Sequence, residues 1–545
     1  MKSKKLASAV SFTLLTSLFL TNAVSANSNN DSVQIHSLSE RNMVQNTKSS
    51  LQALQTSVTY KNNIDTYTMH EYYFSTNGGH FDITQKYSET DEIYFSIIDI
   101  NTEEPLEFDD PYSFDLPAGE YLLEVEGYSD NPIGYEYNLS GSFAELPITQ
   151  LPSLAVTSPA THEVRLAKGS TTMNVKGTTD ADALDLYFNY NDPKELNASF
   201  NETLNVQPGF NTFSLNALDS TTLNAVWSSY NVISPGLKRI GGKDRYEVST
   251  GISQELDKID AYSDTVIITR GDLYTDALSG GPLAASEGAP VLLTATKALP
   301  SNTVTELKRL KPGKAIILGG TGSVSTNVEN QLKSLGIQTI ERIGGKDRFA
   351  VSAGVAEKVA DYTDTAIIAS GMNFPDALSA SGMAGYMGMP ILLVGTNSVP
   401  DSIQTFIKNN ADIKHFIIVG GPATVSDNVK AKISQLRTGA KVERIGGLNR
   451  YQVSVNIANY GINNFGMDLS TLVVARGDVF ADALSGSPLA AYMGAPILLT
   501  TSNKLEGNIN NYLTQNKGET DYTYILGGTG SITPAVEQQL SSFIK

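Results

Sequence analysis

The sequence predicts a multidomain chain in which two all-β sandwich domains precede three tandem α/β domains, and three observations predict it. The phrase Arg-Ile-Gly-Gly begins at Arg239, Arg342 and Arg444, a spacing of 103 and then 102 residues, and self-similarity at a fixed period marks repeated domains. Within each period, short apolar runs bounded by Gly, Pro or charge alternate with helix-like segments, as in a parallel sheet with helical crossovers. Ahead of Lys238 the apolar residues alternate singly with polar ones between turn signals, as in half-buried strands. At about 100 to 200 residues per domain three to five domains are expected, and this reading of the 545 residues gives five.

Taken in order, Lys2, Lys4 and Lys5 precede a mostly apolar run from Leu6 to Leu20 and the small residues Val24-Ser25-Ala26. The run is shorter than the roughly 20 residues a membrane-spanning helix needs, so residues 1–26 are expected to be a secretory signal peptide cleaved after Ala26. No later run of 18 apolar residues occurs, and no membrane span is expected. Residues 27–58, rich in Ser, Asn and Gln, read as a linker or spacer with a helix expected near Arg41 to Leu54. Residues 59–145 read as a first β-sandwich, with strands such as Glu92 to Ile98 and Tyr121 to Val125. A second β domain is expected over residues 150–234, with strands at Thr171 to Gly177, Leu184 to Tyr190 and Val206 to Leu215. Trp227, the single tryptophan, is expected in its core, and Ser234-Pro235-Gly236 marks the join to the repeats.

The repeats occupy residues 239–341, 342–443 and 444–545. Each opens on related strings, Lys243-Asp244-Arg245-Tyr246, Lys346-Asp347-Arg348-Phe349 and Leu448-Asn449-Arg450-Tyr451. Asp-Ala-Leu-Ser then begins at Asp276, Asp376 and Asp482, a Pro-aliphatic run at Pro290, Pro390 and Pro496, and a Gly-Gly pair at Gly319, Gly420 and Gly527. In the first copy Thr265 to Thr269, Val291 to Thr294 and Ala315 to Leu318 suit buried strands. Tyr246 to Leu256, Ala277 to Glu287 and Asn302 to Leu310 suit helices, the first capped by Asp244. Ligands of such sheets favour the carboxyl ends of the strands, which here are Arg270-Gly271, Thr294 and Gly319-Gly320.

The ordered set of Arg-Ile-Gly-Gly with its following Asp/Asn-Arg-Tyr/Phe, then Asp-Ala-Leu-Ser, Pro-Val/Ile-Leu-Leu and a strand ending in Gly-Gly resembles the cell wall binding repeat 2 family, over residues 239–545. The resemblance implies Toprim-like α/β domains used in threes as a pseudo-threefold module. It also implies noncovalent attachment of a secreted protein to an anionic polymer of a Gram-positive wall, teichoic-acid-like or another secondary wall polysaccharide, alongside peptidoglycan. In the front half, Asp109-Asp110-Pro111, Leu116 to Tyr121 and Tyr135 to Leu139 resemble the bacterial pre-peptidase C-terminal domain. Residues 150–234 resemble bacterial Ig-like modules.

A reader of anionic sugars needs guanidinium forks and exposed backbone N–H groups. Arg239, Arg245, Arg342, Arg348, Arg444 and Arg450 supply two arginines per copy, either to bind the polymer or to pair with an acid of the same or the next copy. Asp276, Asp376 and Asp482 recur unchanged, suit a helix start or an arginine partner, and join the six arginines as candidate polymer-binding residues. Asp272 has Met372 as its counterpart in the middle copy, Asp347 has Asn449, and Arg270 and Arg476 have Ser370, so no carboxylate pair is common to all three copies and the three sites should not be equivalent. The Gly-Gly turns lack a P-loop lysine, which argues against nucleotide.

Charge divides at Lys238: residues 1–238 carry 12 Lys and Arg against 29 Asp and Glu, residues 239–545 carry 27 against 28. Neither half has the basic excess of a nucleic-acid binder. The absence of Cys excludes disulfides and thiolate chemistry. His36, His70, His80, His162 and His415 are scattered and form no zinc-protease motif, and the acids of the front half lack a calcium-loop spacing. No cofactor, metal or catalytic residue is therefore expected. The expected function is a non-enzymatic wall-bound surface protein displaying acidic β domains. Its alternatives are a docking subunit for a separate autolysin or protease, and a wall hydrolase within residues 59–234.

Overall fold

The computed structural model describes residues 54–86, 93–102, 104–106, 108, 110–129, 132–189, 192–259, 264–360 and 363–545. The expected signal peptide of residues 1–26, most of the expected spacer of 27–58 with its expected helix, and Asp109 lie outside the described residues. The chain divides into two compact units, one of Met1–Arg165, Thr172–Val206 and Asn211–Val232, the other of Leu166–Thr171, Gln207–Phe210 and Ile233–Lys545.

In the first unit, the period-two pattern becomes strands with one face buried. Ile133–Phe143 alternates buried Tyr135, Tyr137, Leu139 and Phe143 with half-exposed residues, and pairs antiparallel with Leu54–Ile64, which begins inside the segment read as spacer. Tyr60, Tyr72, Phe74, Phe81 and Tyr121 complete an aromatic core with them. The hydrogen-bonded sheet does not stop near residue 150. Ala183–Phe188, Gly209–Leu218, Ala225–Ser234, Thr68–Gln85, Ser113–Gly127 and Ile93–Asp99 lie side by side in one sheet, joined where Ala225 to Ser228 pair with Glu71 to Thr68. A second sheet holds Ser199–Leu204, Met173–Thr179 and Leu154–Ser158. Trp227 is half-buried against Tyr187.

The second unit contains three four-stranded parallel sheets. In the first copy Val291–Thr294, Thr265–Arg270, Lys314–Leu318 and Thr339–Ile343 lie in that order. The second copy repeats it with Ile391–Val394, Thr365–Ser370, His415–Val419 and Lys441–Ile445. The third has Ile497–Thr500, Thr471–Arg476, Tyr522–Leu526 and finally Gly236–Ile240. The strand carrying each Arg-Ile therefore belongs to the sheet of the preceding copy. The first copy's strand closes the ring on the third, with Arg239 opposite Ile525.

The helices follow the sequence closely, with one instructive difference. Arg245–Lys258, Arg348–Val359 and Arg450–Phe465 are capped by Asp244, Asp347 and Asn449, whose side chains accept from two backbone N–H groups each. The helix expected from Ala277 begins only at Gly281 (Gly281–Ser286), and the third copy breaks likewise into Ala481–Leu484 and Ser487–Tyr492. Pro282 and Pro488 sit in the first turns of those short helices. A proline cannot donate the interior hydrogen bond of a longer helix. The second copy has Gly382 there and runs unbroken over Pro375–Tyr386.

These second helices meet one another around a common axis through small residues. A side chain placed on Gly385 would come within 2.8 Å of Ala491 Cβ and 3.0 Å of Ala285 Cβ, so helices from all three copies touch at one glycine. Val351, Val355 and Val359 of the second copy's first helix pack into one core with Ile267, Leu293, Ile316 and Leu318 of the first. Each copy thus lends a strand and a helix to its neighbour.

Equivalent positions on the lent strand and helix carry compensating partners. Lys238 Nζ lies 2.6 Å from Glu255, Lys358 Nζ lies 2.8 Å from Glu341, and Tyr460 donates to Glu443 at 2.6 Å. Burial pushes Glu443 up, but hydrogen bonds from Lys441, Tyr460 and His415 outweigh it and hold the carboxyl at about 2. A depressed carboxylate contributes stability above its unfolded value near 4.5, and that contribution disappears as pH falls toward about 2. Glu443→Gln is therefore expected to cost about 2 kcal/mol at pH 7. The difference from wild type should shrink between pH 5 and 2, as read by urea unfolding.

Candidate functional site

The two arginines of each copy have different surroundings. On the lent strand, Arg342 donates from Nη1 to the carbonyls of Gly319 and Val324, both at 2.9 Å, and from Nη2 to Glu329 at 3.1 Å. Arg239 reaches Gly527 O at 2.9 Å and Glu537 at 2.7 Å, while Arg444 reaches Gly420 O at 2.9 Å and Asp427 at 3.1 Å. Their side chains are largely buried, at 15%, 18% and 15% exposure for Arg239, Arg342 and Arg444, and their guanidiniums tie the Gly-Gly turn of the preceding copy to its last helix.

The recurring aspartates sit under the same turns. Asp276, Asp376 and Asp482 are buried, and a side chain on Gly319 would meet Asp276 Oδ2 at 2.7 Å. Gly319, Gly420 and Gly527 also adopt φ of 109°, 101° and 105°, where an L side chain is strained. Asp376 accepts from Thr424 and Asp482 from Ser531 at 2.5 Å. Burial raises both carboxyls despite these bonds and the attraction of Arg450 for Asp376 and of Arg245 and Arg476 for Asp482. The Pro-aliphatic runs are buried edge strands: Leu393 N–H is taken by Ser352 Oγ at 2.9 Å and Leu499 N–H by Ser454 Oγ at 3.2 Å.

Arg245, Arg348 and Arg450 open the first helices at the carboxyl ends of the strands. Each donates Nη1 to the carbonyl that ends its own copy's central strand: Gly271, Gly371 at 2.5 Å, and Gly477 at 2.6 Å. Each guanidinium also stands over a ring of another copy, Arg245 over Phe480 at 5.5 Å, Arg348 over Tyr274 at 5.7 Å and Arg450 over Phe374 at 5.8 Å. Those three rings form a cluster of their own with centroids 5.5, 5.5 and 5.7 Å apart. Three half-buried cations around three rings, with no carboxylate in contact with any of the three guanidiniums among the described residues, is a surface suited to anions. The rings were missed in the sequence although each stands two residues before the recurring Asp, a signal that aligning the copies would have exposed.

In the first unit the structure joins residues the sequence did not suggest. Ser113 Oγ lies 3.1 Å from His80 Nε2, and His80 Nδ1 lies 3.0 Å from Asp115. The hydroxyl, however, donates to Asp82 at 2.8 Å. The hydrogen bond with Asp115 raises the exposed imidazole, with Asp82 adding to it against a smaller opposing desolvation, which opposes a role as neutral base. The three stand on the paired strands Thr68–Gln85 and Ser113–Gly127. His70 is buried against Tyr135 and His162 bonds the Ser229 carbonyl. Among the described residues no group of three or more side chains could hold a metal ion, and no helix is long and apolar enough to cross a membrane.

Residues 239–329, 342–430 and 444–537 match the cell wall binding domain 2 (CWB2), half of the chain. The chain belongs to the CWB2 family. Among its relatives, the N-acetylmuramoyl-L-alanine amidase LytC of Bacillus subtilis is 33% identical over 56% of this chain and 58% of its own length. The amidase enhancer of the same organism is 34% identical over 56% of this chain and 40% of its own length. This chain therefore spans about half the length of the curated relatives it matches. Among solved structures, Cwp8 from Clostridium difficile aligns with TM-score 0.51 and 26% identity, over 62% of this chain and 60% of that one. Cwp6 from the same organism aligns with TM-score 0.55 and 24% identity, over 72% and 68%, which speaks to the fold.

Proposed function

We propose that this CWB2 protein is secreted and held noncovalently to an anionic polymer of a Gram-positive wall, with no catalysis of its own. The observation that carries the reading is the set of three guanidiniums arranged around one aromatic axis at the carboxyl ends of three joined sheets. Arg245, Arg348 and Arg450 contact the polymer in this reading, while Arg239, Arg342 and Arg444 with Asp276, Asp376 and Asp482 hold the turns around it. Several contacts on one body raise retention on a repeating polymer, because each later contact forms at high effective concentration. In this reading the repeats are Toprim-like layers without metal chemistry, since the carboxylate four residues before the recurring Asp is held by an arginine in the first and third copies and replaced by Met372 in the second.

The β-rich first unit, with regions akin to the pre-peptidase C-terminal and Ig-like domains, is the displayed part. The amidase and amidase-enhancer relatives favour a second reading, in which it docks a separate wall enzyme. Retention of the full chain on isolated walls should fall steeply between 0.05 and roughly 0.5 M salt, as screening shortens to a few ångströms. A chain lacking residues 236–545 should not be retained at all. Salt-independent retention would overturn the reading. Hydrolysis of peptidoglycan or casein that survives this deletion and is lost in Ser113→Ala would revive a hydrolase in the first unit.

A further inference from the structure

The three corners around the aromatic axis are built alike, but two of them carry an ion pair that the third lacks. In the first copy, Arg270 makes a two-pronged pair with Asp272, at 2.7 Å on both arms. In the third, Arg476 does the same with Asp478, at 2.5 and 2.8 Å. Both carboxylates are held below the ordinary range by these pairs, and each is also drawn down by the second arginine of its copy, Asp272 by Arg245 and Asp478 by Arg450. Two of the three axial guanidiniums thus already stand in the field of a carboxylate on the neighbouring loop. The second copy has Ser370 and Met372 at these positions, and Ser370 Oγ accepts from Met372 N–H at 3.2 Å. Nothing acidic faces Arg348 from its own loop.

The same corner is also the most polar-and-apolar in combination. Tyr274, the only hydroxyl-bearing ring of the three, donates to Met372 O at 2.9 Å and lies beneath Arg348. Leu273 and Met372, in the two loops that this bond joins, are 44% and 53% exposed. A large apolar side chain left in water beside a cation with no carboxylate in contact suits a ligand with both an anionic group and an apolar face. A sugar ring bearing a phosphate or carboxylate has both.

We propose that the three corners are unequal and that the Arg348 corner is the principal anion subsite of the module. Its guanidinium takes the phosphate or carboxylate of an acidic sugar, and Leu273 and Met372 cover the sugar's C–H face. This rests on the wall-polymer reading and assigns which part of the module makes the first contact. Asp272 and Asp478 compete with a bound anion for Arg245 and Arg450, but Arg270 and Arg476 offset most of their field, so a difference of severalfold is expected between Arg348 and the other two.

The test is titration of the full chain, labelled with 15N-arginine, with glucose 1-phosphate in one arm and glucuronate in the other. The Arg348 Nε–H signal should move first in at least one arm, with a midpoint severalfold below those of Arg245 and Arg450; the responding arm identifies the anion class. Met372→Asp should erase that advantage, and Met372→Asn, which keeps the position neutral, should preserve it. Equal midpoints for the three arginines, response in neither arm, or an unchanged Met372→Asp would overturn the proposal. Wall retention of the same proteins separates the two levels. If the wild type is retained and Met372→Asp is retained equally, the subsite is wrong while the wall reading stands; if the wild type is not retained, both fall.

Discussion

Full-length protein carrying Gly385→Leu is expected to lose the three-copy module as a cooperative unit while the first unit keeps its β-sheet signal. Gly385 faces Ala491 and Ala285 from the other two copies, and even a methyl would stand 2.8 and 3.0 Å from their Cβ atoms. The contacts are between helices, so the added volume can be relieved only by moving one copy away from the other two. Overpacking a filled interior costs about 1 to 3 kcal/mol and sometimes more. Here the cost is paid at an axis shared by three sheets, so a value near the top of that range is expected. Gly385→Ala should show an intermediate loss. Urea unfolding with limited proteolysis reads both, and a leucine variant with the wild-type midpoint would show that the helices do not meet as described.

The second large effect separates the two arginines of a copy. Arg342→Ala removes three hydrogen bonds and leaves Gly319 O, Val324 O and Glu329 without that donor. With the side chain only 18% exposed, the expected loss is about 2 kcal/mol of stability. Binding per folded molecule should stay unchanged. Arg348→Ala should do the reverse, weakening wall retention with little change in unfolding, because its partners are one carbonyl and the face of a ring. Measuring retention and urea midpoint on both variants decides the matter; a binding loss in Arg342→Ala without a stability loss would return that residue to the ligand.

Much of this was legible in the sequence because it rests on local rules. Asp244, Asp347 and Asn449 announce helix starts through their short side chains, and the runs after Pro290, Pro390 and Pro496 are the buried strands they resemble. The exchange of strands was not legible. Lys238-Arg239-Ile240 offers one apolar residue in three, and its partners Tyr524, Ile525 and Leu526 lie almost the length of the module away in sequence. The roles of the arginines were equally hidden, since Arg342 and Arg348 stand six residues apart in one motif yet face a turn carbonyl and an aromatic ring. Burial and neighbours, which composition does not encode, divide them. The shared sheet of the first unit escaped for the same reason, because Ala225 to Ser228 look like the end of one domain until Glu71 to Thr68 are placed beside them.

Retention of the full chain on isolated Gram-positive walls, before and after acid extraction of their anionic polymer, tests the central claim most directly. The account predicts strong retention on intact walls and loss of most of it on the stripped peptidoglycan. Equal retention on both would contradict it.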